Sequence, residues 1–439
     1  MKRITRFAPS PTGFLHLGNL RTAIFNYLVS KRTGGQFILR LDDTDKDRST
    51  EEFSDQIKSD LKWLGFEWDR CEKQSDRIPA YEAVAQKLRE DGSLYECFET
   101  IEELQYKRRK QLSMGKPPVY DRSSLNLSSE EKKRLRVERQ SYWRFKLHKT
   151  RIEWEDGILG PISIDAGSVS DPVLIRGDGQ FLYTLASVVD DMEFNINSVI
   201  RGSDHVTNTA TQIQILTRLG ALLPSFAHHS LLVGPNGDPL SKRMNHLSLI
   251  ELRRMGLEPG AIFVFMSNLG SQKSLHSEIN IEESLRTFNL SNFGASPTKF
   301  DFDVLSLFSQ KVLMQLKFSE IEEDLNNLNI PKHLQEDFWD MAKENIFKRS
   351  DLNDLWYLCT HGAKPIIQPE DKEFISLCKA LMPSAPRDKN SWSTWVQAIK
   401  SQTNRSGKSL FLPLRKALTG QDNGPDMKKL FPLMQKIKI

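Results

Sequence analysis

Arg6-Phe7-Ala8-Pro9-Ser10-Pro11-Thr12-Gly13-Phe14-Leu15-His16-Leu17-Gly18-Asn19 is the stretch on which the reading of this sequence turns. A β-rich run, Ile4 to Ala8, ends in the breaker Pro-Ser-Pro-Thr-Gly, and an amphipathic helix starts at once. The apolar positions of that helix are Leu17, Leu20, Ile24, Tyr27 and Leu28, a helical period that stops at Gly34-Gly35. A strand-to-helix crest presents unpaired backbone N–H groups and a partial positive charge, the raw material of polyphosphate sites. His16 reads either as part of such a site or as an ordinary capping or core histidine.

Around that crest the chain reads as a multidomain globular protein. Its 439 residues are too many for one ordinary core, and 38% apolar with 27% charged residues is a globular balance. No apolar run approaches membrane-spanning length, and Met1-Lys2-Arg3 leads into a strand, so a cytoplasmic location is expected. Cys71, Cys97, Cys359 and Cys378 are scattered, which suggests neither a disulfide framework nor a ligand cluster. A net charge of +4 permits a nucleic-acid partner without requiring one. The basic runs Lys107-Arg108-Arg109-Lys110 and Lys132-Lys133-Arg134 read as solvated helix faces or as RNA contacts.

Residues 1–80 alternate strand and helix, with Phe37-Ile38-Leu39-Arg40-Leu41 as a buried parallel strand and Glu51 to Leu64 as a helix. Residues 81–190 change character to short strands and a basic helix, and Asp178-Gly179 predicts a hairpin joining Val173–Ile175 to Phe181–Tyr183. The α/β pattern resumes over 191–245 with a strand at Ser198–Arg201, a helix from Thr207 to Leu219 and a strand at Ser230–Val233. Beyond 246 the chain reads as helical, broken at Pro259-Gly260, Pro331 and Pro383.

The second chemical motif is Gly237-Asp238-Pro239-Leu240-Ser241-Lys242-Arg243-Met244. A lysine in a glycine-flanked loop can swing onto a polyphosphate as charge develops at phosphorus. Together the two motifs resemble the signatures of the class I aminoacyl-tRNA synthetases, in the form used by bacterial glutamyl-tRNA synthetases. The resemblance continues through Arg21–Leu28 and Gly34–Asp45 and recurs almost to the C-terminus, where Arg405-Ser406-Gly407-Lys408-Ser409 with Leu410 to Gly420 matches the closing segment of the anticodon domain.

The resemblance implies an α/β fold: a Rossmann-type parallel sheet (1–80 and 191–245) split by an α+β acceptor-binding insertion (81–190). A helical stem-contact region (246–315) and an all-α anticodon-binding domain (316–439) would follow. His16, Asn19 and Lys242 would be catalytic. ATP would meet Pro9, Ser10, Pro11, Thr12, Gly13, His16, Gly18, Asn19, Leu240, Ser241, Lys242 and Arg243. Gly18 would let the adenine ring approach the backbone. Glutamate would meet Arg6, Ala8, Ser10, Asp42, Tyr183, Ser187 and Arg201, since two carboxylates call for guanidinium forks and an ammonium for an acid. Read without the family, Arg6 and Arg201 are also compatible with strand-end salt bridges.

Three positions depart from the family pattern: Pro239 replaces a lysine, Asp42 a glutamate and Ser187 an asparagine. Many relatives hold zinc in the insertion, but Tyr95-Glu96-Cys97-Phe98-Glu99 has no second cysteine nearby, so no zinc is expected. Arg405–Ser409 is not a P-loop, because the upstream glycine is missing. Trp392, Trp395 and Phe411 are candidates for base stacking or for core.

The implied activity is two-step, ATP-dependent attachment of L-glutamate to tRNA(Glu), either to that tRNA alone or to tRNA(Gln) as well. Mg²⁺ would accompany ATP, and the protein would be a monomer. Relatives that glutamylate a modified tRNA base stop soon after the second motif, whereas this chain runs roughly 195 residues further. Bacterial glutaminyl enzymes read the anticodon with β-barrels rather than helices. A catalytically idle RNA-binding relative is disfavoured by the retention of Arg6, Ser10, His16, Asn19, Arg201 and Lys242.

Overall fold

The computed structural model describes residues 1–238, 247–272 and 281–439. Leu240, Ser241, Lys242 and Arg243, with Pro239, lie outside the described residues. The chain forms two compact units: Met1–Leu252 with later segments running up to Phe302, and Arg253–Ala261 with Asp303–Ile439.

The first unit is built around parallel strands. Strand β1 (Ile4–Phe7) leads over the Pro-Ser-Pro-Thr-Gly crest into helix α1 (Leu17–Arg32), then β2 (Gln36–Leu41), α2 (Glu51–Trp63) and β3 (Arg70–Lys73). These strands form a parallel sheet in the order β1-β2-β3, with Arg6 opposite Ile38 and Phe7 opposite Leu39. The turn after α1 admits only glycine at position 35: a Cβ there would lie 1.9 Å from the Arg3 carbonyl oxygen.

Next come α3 (Ile78–Glu90), β4 (Leu94–Cys97), α4 (Ile101–Ser113), α5 (Ser129–Glu138), β5 (Tyr142–Phe145), β6 (Arg151–Asp156), β7 (Gly160–Asp165) and β8 (Val173–Ile175). Helix α6 (Tyr183–Glu193), β9 (Ser198–Gly202), α7 (Val206–Arg218), β10 (Ser225–His229) and β11 (Leu232–Val233) follow. Strands β4, β5 and β8 make a small antiparallel sheet. The second half of the α/β core is the sheet β7-β6-β10-β9, in which β10 runs parallel to both β9 and β6. Hairpin β6–β7, which the sequence places within the insertion, therefore belongs to this sheet.

Two strand expectations need correction. The hairpin at Asp178-Gly179 closes with a single bridge from Ile175 to Phe181, because α6 begins at Tyr183. The strand expected at Ser230–Val233 is only Leu232–Val233, and the long strand is β10, five residues earlier. Its end, His228-His229, looks polar in sequence, yet both side chains are buried and hydrogen-bonded.

Asn197 joins the two parallel sheets: its side chain accepts from Ile4 N (2.9 Å), and its N–H donates to the Ile4 carbonyl (3.2 Å). Asn26 of α1 adds a second tie, donating to the Ile200 carbonyl at 2.9 Å. The connection from β1 thus departs to one side and that from β9 to the other. A crevice opens at the carboxyl ends of the two strands, where ligands of open α/β sheets bind.

The remaining elements are α8 (Leu249–Arg254), α9 (Pro259–Asn268), α10 (Ile281–Thr287) and the short strand β12 (Thr298–Lys299), paired in parallel with β11. The second unit is helical throughout its described residues, from α11 (Phe302–Gln315) to α18 (Met427–Leu433). Its core gathers Leu313, Ile321, Phe338, Trp339, Trp395, Leu414 and Phe431, with Trp395 stacked on Phe431 at 5.0 Å. Trp392 and Trp395 belong to this core, whereas Phe411 is 39% exposed. Within the same unit Arg349 forks onto Glu258 (2.9 Å) and reaches Asp324 (2.6 Å). Among the described residues no helix is long and apolar enough to cross a membrane.

Candidate active site

A cleft of about 760 Å³ opens at that switch point, a size suited to a nucleotide with a small second substrate. It gathers Arg6, Ala8, Pro9, Ser10, Thr12, Gly13, His16, Gly18 and Asn19 from the crest, Asp42 from just beyond β2, and Tyr183 and Arg201 from the second half. Two expected residues are not in its wall: Pro11 is buried in the crest, its carbonyl accepting from Thr50 N, and Ser187 is wholly buried. A depression of similar volume, about 770 Å³, lies by α4 and α5 and contains none of the motif residues.

His16 is the N-cap of α1. Its Nδ1 accepts from Gly18 N (3.0 Å) and Asn19 N (3.3 Å), while the Asn19 side chain accepts from His16 N (3.3 Å). Burial lowers the His16 pKa. A neutral ring that accepts at Nδ1 must carry its proton on Nε2, so the cap leaves a donor for a ligand. Gly18 has a role the sequence did not reveal: a Cβ there would stand 2.9–3.0 Å from the His16 ring and push it off the cap.

The amino-acid end is a buried charge network. Arg6 donates from Nε to Asp191 Oδ1 (3.0 Å), and its terminal nitrogens make no hydrogen bond to the described protein atoms. Arg201 donates to Tyr183 Oη (2.9 Å), Thr209 Oγ1 (2.6 Å), Gln212 Oε1 (2.7 Å) and His228 Nε2 (3.4 Å). These bonds use four of its five N–H donors and fix the plane of the fork. Asp42 accepts both arms of Arg40 (2.7 and 3.1 Å). Burial, only partly offset by Arg40, pushes the Asp42 pKa up to about 6.

Arg40 is the hub, wholly buried and bonded also to Asp191 (2.9 Å) and Ser187 Oγ (3.3 Å). Asp190 in turn accepts from Arg77 (2.6 Å), Gln74 (2.8 Å) and Tyr81 (3.0 Å). Ser187 thus reaches the site through Arg40 and not by facing the cleft. Arg40, Asp190 and Asp191 were missed in the sequence, where their signal was charge inside apolar runs. Buried charges require buried partners.

Three more lining residues carried no motif. Arg21 lies on the helix face of Gly18 and Phe25, is buried, and leaves Nε and Nη1 without a partner among the described residues. Burial alone lowers its pKa to about 10, and its guanidinium sits over the rings of Phe25 and Phe293. His229 bonds Thr22 Oγ1 (2.8 Å), and burial drives its pKa to about 3. His205 is likewise held below its usual pKa by burial and Arg201.

In the insertion, Glu99 receives Ser123 Oγ (2.6 Å), Tyr120 Oη (2.7 Å) and Ser124 Oγ (3.0 Å), while Tyr120 also contacts Cys97 Sγ (3.6 Å). Burial opposes ionisation there, yet those hydrogen bonds hold the Glu99 pKa at about 2. Among the described residues no group of three or more His, Cys, Asp or Glu is placed to hold a metal ion.

Residues 2–307 match the family model for class I tRNA synthetases (E and Q), catalytic domain. The chain is 54% identical over 435 residues to "Glutamate--tRNA ligase 1" of Roseobacter denitrificans, covering 99% of both chains. It is 55% identical to "Glutamate--tRNA ligase 1" of Ruegeria pomeroyi, over 99% of this chain and 98% of that one. A crystal structure of a glutamate tRNA ligase from Elizabethkingia meningosepticum, in complex with its amino acid, superposes with a TM-score of 0.86 at 26% identity, covering 99% and 97% of the two chains. With the crest, the switch-point cleft and these likenesses together, the chain belongs to the glutamate branch of the class I aminoacyl-tRNA synthetases.

Proposed function

We propose that this chain joins L-glutamate to tRNA(Glu) in two steps, with the cleft at the β1–β9 switch point as its active site. The observation that carries the reading is the coexistence, in one cleft, of a capped helix N-terminus and two arginine forks flanking a carboxylate. The first suits a triphosphate and the second an amino acid with two carboxylates.

In the first step the glutamate α-carboxylate attacks the α-phosphorus of ATP, forming glutamyl-adenylate and releasing pyrophosphate. Arg6 and Arg201 hold carboxylate, and Asp42 receives the ammonium. His16, through its Nε2–H, and Asn19 meet the phosphates. Lys242 is assigned to the phosphates from its motif alone. Mg²⁺ enters as part of the nucleotide substrate. In the second step the 2′-hydroxyl of the terminal tRNA adenosine attacks the adenylate carbonyl and AMP leaves. No side chain acts as nucleophile: positioning and charge stabilisation lower the barrier.

The stem-contact and anticodon-binding roles of residues 246–315 and 316–439 belong to the same proposal, as do a monomeric state and a cytoplasmic location; whether tRNA(Gln) is a second acceptor is decided by the assay. The test is glutamate- and tRNA-dependent ATP–pyrophosphate exchange, followed by aminoacylation of purified tRNA(Glu) and tRNA(Gln) side by side. Absence of exchange with any amino acid would sink the enzyme reading.

A further inference from the structure

Behind Arg201 runs a chain of buried side chains that no motif announces. Asp156, the last residue of β6, meets His228 of β10: its Oδ2 lies 2.5 Å from His228 Nδ1, and both side chains are fully enclosed. Its Oδ1 accepts from the backbone N–H groups of His228 (3.0 Å), Ile158 (3.1 Å) and Leu159 (3.1 Å), which clamps the carboxylate; Trp154 Nε1 approaches Oδ2 at 3.4 Å. Against the effect of burial, the bonds from His228 and these amides hold the Asp156 pKa at about 2.

An ionised carboxylate can only accept, so His228 Nδ1 carries a proton, and the Arg201 Nε–H aimed at Nε2 leaves that nitrogen as the acceptor. Its Nε2 lone pair then faces Thr209 Oγ1 at 2.9 Å and Arg201 Nε at 3.4 Å. The Thr209 hydroxyl donates to His228 and accepts from Arg201 Nη2 at 2.6 Å. The Thr209 hydroxyl has a second, longer acceptor in the His205 carbonyl at 3.3 Å, so the 2.9 Å contact to His228 Nε2 is the shorter of its two outlets.

We propose that Asp156, His228 and Thr209 are positioning residues that set the guanidinium plane of Arg201, and through it the grip on a substrate carboxylate. This rests on the assignment of Arg201 to glutamate made above. A histidine held by a buried acid in one tautomer, acting on the group beyond it, is the logic by which hydrolase triads orient their base. Here the oriented group is a binding arginine. Hairpin β6–β7 thereby supplies the far end of a pocket whose near residues lie on β1, just beyond β2, on α6 and on β9.

Asp156→Asn tests the idea with one atom. The retained Oδ1 keeps accepting from the three amides, but an NH₂ in place of Oδ2 turns His228 into an acceptor at Nδ1. Its proton moves to Nε2, where N–H opposes the Arg201 N–H. The glutamate KM in pyrophosphate exchange should rise about tenfold or more, while the ATP KM stays within about twofold. Thr209→Val should do the same, and Thr209→Ser should restore the native value. The proposal is overturned by an unchanged glutamate KM in Asp156→Asn, or by equal weakening of both substrates. Should Asp156→Asn not fold, the threonine pair decides: Val and Ser behaving alike refutes it. Arg201→Ala separates the two readings, because a raised glutamate KM there with a native Asp156→Asn discards the relay alone.

Discussion

Asp42 gives the sharpest quantitative consequence of the site. Its pKa of about 6, against 3.8 for an ordinary aspartate, means that ionising it in place burdens the folded chain by about 3 kcal/mol at neutral pH. The sign follows directly. Burial raises this acid, so the stabilising protonated form is lost as pH rises through about 6, and ligand binding works in the opposite sense. An ammonium binds only the ionised carboxylate. Glutamate affinity should therefore be full near neutrality and fall by about tenfold from about pH 7 to about pH 5, the ratio expected for one group titrating at about 6. Glutamate's own side-chain carboxylate contributes only about 1.2-fold over that range. His229, with its pKa near 3, stays neutral throughout. The assay is isothermal titration of glutamate into the full chain across that interval, with Asp42→Asn as control. The variant should bind more weakly at neutral pH and show no step. A flat native profile, or the same step in the variant, refutes the assignment of Asp42 to the ammonium.

Other perturbations read separate parts of the structure. His16→Ala removes the Nε2–H donor and the cap of α1, so pyrophosphate exchange should fall about 10²–10³-fold, with roughly 1 kcal/mol of stability lost in denaturant titration. Asp190→Asn takes a carboxylate from wholly buried Arg40 and half-buried Arg77, and should cost about 3–5 kcal/mol and roughly 10 °C in a calorimetric scan. Arg21→Met replaces a buried guanidinium whose Nε and Nη1 have no partner among the described residues, and the melting temperature should hold or rise. A clear fall would show that the ring contacts with Phe25 and Phe293 outweigh its desolvation.

The fold was legible wherever local signals agreed with the global arrangement. The Pro-Ser-Pro-Thr-Gly break, the period of α1 and the alternation of strand and helix each mark a boundary that the backbone respects. Legibility failed where burial of polar groups overturned the expected pattern. Strand β10 ends in two buried histidines that no apolar pattern marks, and Tyr183 left its expected strand because α6 captured it. The cleft's first layer followed from the motifs, since substrate chemistry demands those residue types. The groups behind it, Arg40, Asp190, Asp191, Asp156 and His228, answer to one another instead of to the substrate. Their pairing runs across the fold and leaves no spacing in the chain.

The Arg6–Asp191 contact joins residues 185 positions apart, and Asp191 also satisfies Arg40 from 151 positions away. At ordinary translation speeds roughly 10–40 s pass between synthesis of Arg6 and arrival of its partner. For that interval Arg6 on β1 lacks its counter-charge and Arg40 on β2 has only Asp42, so the buried network they anchor cannot close. Release of the chain before residue 191 should leave an open, protease-sensitive N-terminal half, because the pocket begun on β1 is completed only by residues of the second half of the sheet core.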